Sequence, residues 1–329
     1  MSIFNSTSTL PPIPPNIGFL TGPPLLGIML NWCFLGILIV QVYIYRLHFH
    51  NDKTWLKSFV YILFSLELIQ TGLSTADAFH WFVYGFGNMN TLATAYISPI
   101  DAPIMNSLMA YMVQLFYGWR LWVLSKSRIL VAVIVFIGGT QAIGGFVTGV
   151  LTAIDNRVSA KEVPSLTIWL AGSVVVDIII AIGMTYYLLK ARKSARLTRR
   201  TDDVVLKIVR LTIETNTLSA GVAIITLVTY IAFPNDTLSF CPSYVLGKVY
   251  TNSVMVALNN RIYQSWKDSG VVSRHSYPDY DLGDSRGIES TNPKVTSHGI
   301  VYAKEPTVSA DIQLYSLRGT TAMTEYSQV

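Results

Sequence analysis

Charged residues are scarce in this chain. Lys and Arg number 24 and Asp and Glu 19 among 329 residues, or 13%, against about 25% in soluble globular proteins. Fourteen of these charges fall in residues 264–329, which leaves 29 for the first 263. So little charge cannot cover a water-facing surface of that size, and a soluble fold is excluded. Cysteine is nearly absent as well. Cys33 and Cys241 support neither a disulfide framework nor a Cys-rich metal site. The sequence also lacks a P-loop, a Gly-rich dinucleotide fingerprint, an H-E-x-x-H pair and a nucleophile elbow, so no enzyme activity and no cofactor are expected. The first 23 residues have no Lys or Arg and therefore no basic n-region, which argues against a cleaved signal peptide. Strict apolar–polar alternation of the kind that builds membrane barrels is missing too.

What is present is apolar sequence in long runs. A membrane-spanning helix takes about 20 mostly apolar residues, and seven stretches qualify, near 24–45, 56–80, 97–123, 129–151, 166–189, 207–233 and 240–262. Inside lipid each must satisfy its own backbone, so helix is the consistent reading. The expected fold is an all-α membrane protein, a seven-transmembrane helix bundle over residues 24–262. A short extracellular segment, 1–23, precedes it and a disordered cytoplasmic tail, 263–329, follows.

Lys and Arg set the orientation. One set of connections holds Arg46, Lys53, Lys57, Arg120, Lys126, Arg128, the run from Lys190 to Arg210, Arg261, Lys267 and Arg274, seventeen cations in all; the other holds only Arg157 and Lys161. This places the N-terminus outside and the C-terminus in the cytoplasm. The sequons at Asn5 and Asn235 both fall on the outer side, as glycosylation acceptors should. Residues 264–329 contain 16 Ser and Thr with a net charge of −2, too little apolar material to offset the entropy of folding.

Polar groups within the spans are candidate functional residues, because they are costly in lipid. Glu67, Gln70, Ser74 and Asp77 recur at helical spacing and share one face of the second span. They form either a binding cavity or a structural seam. Lys248 lies ~12 Å below the outer end of the seventh span, against ~20 Å for Glu67 and ~16 Å for Asp177, at about 1.5 Å per residue. An ion pair with one of these carboxylates competes with snorkelling of the lysine to the surface. Asn252 continues the Lys248 face; Asn106 and Gln114 lie deep in the third span; Asp101 sits near its outer boundary, where water would solvate it. Gly138, Ala142, Gly145 and Gly149 make a small-residue packing face. The Trp residues at 55, 81, 119, 122 and 169 fit interfacial belts.

The six cations from Lys190 to Arg200 suit anionic inner-leaflet lipids at ~1 kcal/mol per charge. Without interleaved aromatics they do not suit nucleic acid. His48 and His50 share one loop while His80 lies on the other side, so they make no metal site.

Three pieces of sequence, in order, resemble a family of fungal seven-span membrane proteins, mainly from mushroom-forming species. They are Gln41-Val42-Tyr43-Ile44-Tyr45 with Asn51-Asp52-Lys53; Phe116-Tyr117-Gly118-Trp119-Arg120-Leu121-Trp122; and Lys248-Val249-Tyr250-Thr251-Asn252-Ser253 through Leu258-Asn259-Asn260-Arg261. The resemblance implies a shared architecture, with about 170–264 corresponding to a domain of unknown function. It implies no activity.

Topology, interior polar faces and a Ser/Thr-rich tail suited to phosphorylation point to a receptor-like or sensory protein with an extracellular ligand and a cytoplasmic signalling partner. The usual marks of G-protein-coupled receptors are missing: the third span ends Gly118-Trp119-Arg120, the seventh carries no Pro motif, and no cysteine pair ties the third span to an outer loop. A small-molecule or lipid transporter is the alternative reading, and a structural or accessory membrane protein the second alternative.

Overall fold

The computed structural model describes residues 13–156, 160–194, 199–233 and 236–268. It is all-helical: α1 Ile17–His48, α2 Thr54–Ala78, the short α3 Met89–Leu92, α4 Met105–Ser125, α5 Arg128–Asp155, α6 Val163–Ser194, α7 Arg199–Ala232 and α8 Phe240–Asp268. π-Helical turns extend α2 through Tyr84 and lead into α4 over Ile100–Ile104. A long helix thus overlies each of the seven apolar stretches, α1 starting ahead of residue 24. Local signals mark the boundaries. The Ser127 hydroxyl accepts from the Leu130 amide at the start of α5, and Lys126 adopts a left-handed φ of 56° where α4 ends, a usual way to stop a helix.

Among the described residues, five helical stretches are long and apolar enough to cross a membrane: Ile17–His48, Thr54–Tyr84, Arg128–Asp155, Val163–Ala191 and Val209–Ala232. The burial pattern explains why α4 and α8 fall short. Every residue of α8 from Tyr244 to Met255 is buried, because α8 packs against α1, α2, α4 and α7. A helix enclosed by other helices does not face lipid and can carry polar cargo. The outer helices show the reverse, with Phe136 76% and Ile182 65% exposed. Apolar groups outside and hydrogen-bonded polar groups inside are the arrangement lipid imposes. The chain is a multi-pass membrane protein.

The small-residue face of α5 packs as its composition predicts. A Cβ on Gly145 would lie 2.3 Å from that of Ser107, and one on Gly149 2.5 Å from the Pro99 carbonyl oxygen. Two tryptophans depart from the interfacial expectation: Trp81 and Trp169 are buried. Trp81 donates to the Thr94 carbonyl at 3.0 Å, while Trp169 sits in the main apolar core. Trp55 and Trp122 are exposed, as a belt position requires.

Candidate polar site in the bundle core

All four members of the α2 stripe, Glu67, Gln70, Ser74 and Asp77, are 0% exposed. Their 3.6-residue spacing turns them inward against α8 and the π-helical turn before α4. Lys248 meets them there. It forms an ion pair with Glu67 Oε2, donates to the Glu67 carbonyl at 3.1 Å and to Gln70 Oε1 at 2.8 Å. Thr251 donates to the other Glu67 oxygen at 2.6 Å. Lys248 is itself 0% exposed, so it pairs and does not snorkel.

The network runs on through Gln70, whose Nε2 donates to Asn106 Oδ1 at 2.9 Å and to the Asp101 carbonyl at 3.1 Å. Asn106 in turn grips one turn of α8, donating to the Ser243 carbonyl at 2.8 Å and accepting from the Gly247 amide at 3.1 Å. These two backbone groups would bond each other in a regular helix. The missing side chain of Gly247 makes room, since a Cβ there would lie 2.5 Å from Asn106 Oδ1.

Asp77 accepts from the Ile97 amide at 3.0 Å, but its Oδ2 is unpartnered. Asp101 is not solvated, contrary to the expectation for a boundary residue. The π-helical turn draws it inward, where it is 0% exposed with neither carboxylate oxygen hydrogen-bonded. Ser74 donates to its own helix at Thr71. Asn252 bonds the Lys248 and Phe34 carbonyls at 2.8 and 3.3 Å, part of an asparagine seam between α1 and α8. Asn31 to Tyr244 and Asn259 to Gln41, each at 2.8 Å, complete the seam.

Asp177 serves a separate cluster and does not pair with Lys248. Its oxygens accept from Gln114 Nε2 at 3.2 Å, Ser219 Oγ at 2.6 Å and Tyr250 OH at 2.9 Å. Gln114 continues through Gln141 to Ser173. Four helices, α4, α6, α7 and α8, meet at this one carboxylate, and α5 joins them through Gln141 and Gln114.

The sequence pattern singled out neither Asn31 nor Thr71 nor Ser219, and held Tyr250 and Thr251 only within the stretch that carries the family resemblance. Asn31 had a signal, as an isolated amide inside an apolar run; Ser and Thr had none, because a helical hydroxyl can bond its own preceding turn. It also missed a clamp at the other end of the bundle. Arg261 forks onto both Asp52 oxygens, at 3.2 and 2.6 Å, and stacks 4.0 Å above the Phe49 ring. Tyr45 OH donates to Asp52 at 2.9 Å. Two of the three sequence pieces that carried the family resemblance therefore touch here.

His80 stacks on Tyr96 with centroids 4.0 Å apart, and His48 contacts the Ile44 carbonyl at 3.1 Å. No group of three or more His, Cys, Asp or Glu able to hold a metal ion occurs among the described residues. Asn5, Asn235, Arg196 and the tail beyond residue 268 lie outside the described residues, as do the side chains of Arg192, Lys193, Arg199 and Arg200. At the Phe240 end of α8 a cavity of about 70 Å³ is lined by Ser98, Thr148, Trp169, Thr226, Ser243 and neighbouring residues. The Trp169 indole nitrogen has no hydrogen-bond partner.

No curated protein matches the chain, and no solved structure does. Residues 173–263 match a family of unknown function, DUF6534. The matched stretch takes in Asp177, Ser219, Lys248 and Arg261, while Glu67, Asp77, Asp101 and Asp52 lie ahead of it. The chain is thus a multi-pass membrane protein that carries a domain of unknown function across most of its last three long helices.

Proposed function

We propose that the protein is a seven-span sensor of the plasma membrane, with its N-terminus outside and its tail in the cytoplasm. The imbalance of seventeen basic residues against two supports the topology, and the enclosure of α4 and α8 explains how spans can be this polar. The ligand site is the cavity beside Ser98, Trp169 and Ser243. Its wall is mostly apolar, and with the unpartnered Trp169 N–H it suits a small, largely apolar molecule that carries a hydrogen-bond acceptor. The observation that carries the reading is the course of α8. One helix contributes Ser243 to the cavity, Lys248 to the ion pair, Tyr250 to the Asp177 cluster and Arg261 to the Asp52 clamp. A shift of α8 at the cavity would reach the clamp, on the side of the membrane where the charge pattern puts the basic run Lys190–Arg200, a sequence suited to anionic lipids and a signalling partner. Asn5 and Asn235 would carry glycans. No catalytic step is proposed.

The buried carboxylates also support a second reading, a small-molecule or lipid transporter, because ionisable groups inside a bundle commonly line transport paths. The separating experiment screens small, largely apolar molecules that carry a hydrogen-bond acceptor for thermal stabilisation of the wild type and of Trp169→Phe, then follows each hit in reconstituted vesicles. A sensor ligand stabilises the wild type, loses most of that effect in the variant and does not accumulate in vesicles. Accumulation refutes the sensor reading. A structural or accessory role predicts no hit at all.

A further inference from the structure

Most of the donors around Asp101 are already spent. The Lys248 ammonium has three protons, directed at Glu67 Oε2, the Glu67 carbonyl and Gln70 Oε1. The Gln70 amide has two, given to the Asp101 carbonyl and to Asn106. Asn106 donates to Ser243, and Asn31 to the Tyr244 carbonyl. Asp101 Oδ1 and Oδ2, Asp77 Oδ2 and Tyr244 OH are left with no hydrogen-bond partner, and all three residues are 0% exposed. They lie within electrostatic reach of one another, and Lys248 within reach of Asp101. The amides of Ala102 and of Asp101 itself polarise the Asp101 carboxylate without reaching hydrogen-bond geometry.

Two considerations narrow what satisfies these groups. The first is charge. Glu67 is neutralised by Lys248, so Asp77 and Asp101, when ionised, bring two further negative charges into a low-dielectric interior, and a water molecule would hydrate them without neutralising either. The second is chemistry and spacing. The phenol of Tyr244 is a donor that would bond either carboxylate on contact, yet it bonds neither. The groups therefore lie within electrostatic reach of one another but beyond a direct hydrogen bond, and all of them are hard oxygens, the ligand type of alkali and alkaline-earth cations rather than transition metals.

We propose that Asp101, Asp77 and Tyr244 form a binding site for one alkali cation inside the bundle, next to the Glu67–Lys248 pair. The cation leaves one net negative charge where there were two and gives the orphaned oxygens a common partner. The site is built into α2, α8 and the π-helical turn before α4, and it stands whether the protein senses or transports.

The test uses the purified full-length chain in lipid nanodiscs at pH 8 and constant ionic strength, with N-methylglucamine replaced stepwise by Na⁺ or K⁺. The melting temperature should rise saturably, by several degrees, with at least one alkali ion. Asp101→Asn should abolish the rise. Tyr244→Phe, which removes only a hydroxyl, should move the midpoint to higher ion concentration; it keeps the test decisive if the Asp101 variant fails to fold. Glu67→Gln, which alters the neighbouring pair, should keep a saturable response. An equal response to all three cations would overturn the proposal, since it would reflect screening alone. Stabilisation that follows acidification but never alkali ion would also overturn it, by assigning the site to a proton.

Discussion

Lys248→Met tests the Glu67–Lys248 pair most directly. Both side chains are 0% exposed, so neither charge falls back on water when the other is removed. Lys248→Met strips Glu67 Oε2 of its only strong donor and leaves Gln70 Oε1 without one, while the Thr251 bond to Glu67 Oε1 survives. Uncovering a buried charge in this way costs about 3–5 kcal/mol. Glu67→Gln leaves the ammonium its bonds to the Glu67 and Gln70 oxygens and should fall at the lower end of that range. The double variant removes both charges and should cost at least about 2 kcal/mol less than the two single losses combined, a coupling within the range found for contacting groups. Equilibrium unfolding in mixed micelles, titrated with a denaturing detergent, gives all four free energies. Asp177→Asn in place of Glu67→Gln is the control and should be additive with Lys248→Met, because Asp177 bonds Gln114, Ser219 and Tyr250 instead. Additivity of Glu67 and Lys248 within about 0.5 kcal/mol would refute the pair.

Arg261→Lys should not substitute for arginine: it loses the two-point fork on Asp52 and the flat face over Phe49, so about 1–3 kcal/mol of stability should go, read as faster hydrogen exchange near Asp52. Gly247→Ala should destabilise by roughly 1–3 kcal/mol, because its methyl would sit 2.5 Å from both Asn106 Oδ1 and Met109 Cε, and Asn106→Ala should recover only part of that; detergent melting measures both. Tyr250→Phe should cost about 1.5–3 kcal/mol, the value of a hydrogen bond to a charged group, and should add less than that on top of Asp177→Asn, which has already removed the charge. For topology, a C-terminal tag should be inaccessible on intact cells, and glycosidase treatment should lower the mass of the wild type but not of a variant lacking Asn5 and Asn235. An accessible tag would reverse the orientation.

The inward stripe of α2 was legible because four polar residues recur at helical spacing in an otherwise apolar run, and lipid leaves such a face one place to go. The existence and type of the long helices were legible for the same reason. Which helices touch was not. Depth estimates put Lys248 nearer the level of Asp177 than of Glu67, yet it pairs with Glu67, because rotation about the helix axis and lateral neighbours decide contact as much as depth does. α1 and α8 share an extensive interface from opposite ends of the sequence, which no local pattern announces. Asp101 was misjudged because a π-helical turn, which has no simple sequence signature, reels it inward. The clamp was hidden in plain residues, since Asp52 and Arg261 each look like ordinary loop or boundary charges until the fold sets them together.

The enclosed position of α8 has a consequence for how the chain is made. Glu67 and its counter-ion are 181 residues apart, and the lysine arrives on α8, the last of the described helices in chain order. At about 5–20 residues per second, the ribosome needs about 10–40 s to add the intervening chain. Over that interval the helices already made, from α1 and α2 at first to α7 at the end, must wait in the membrane for α8, with Glu67 either protonated or sheltered by the insertion machinery. The bundle therefore cannot close helix by helix in the order of synthesis. Its centre is the final piece delivered, and a chain that stalls before residue 248 presents an acidic seam to whatever surveys unassembled membrane proteins.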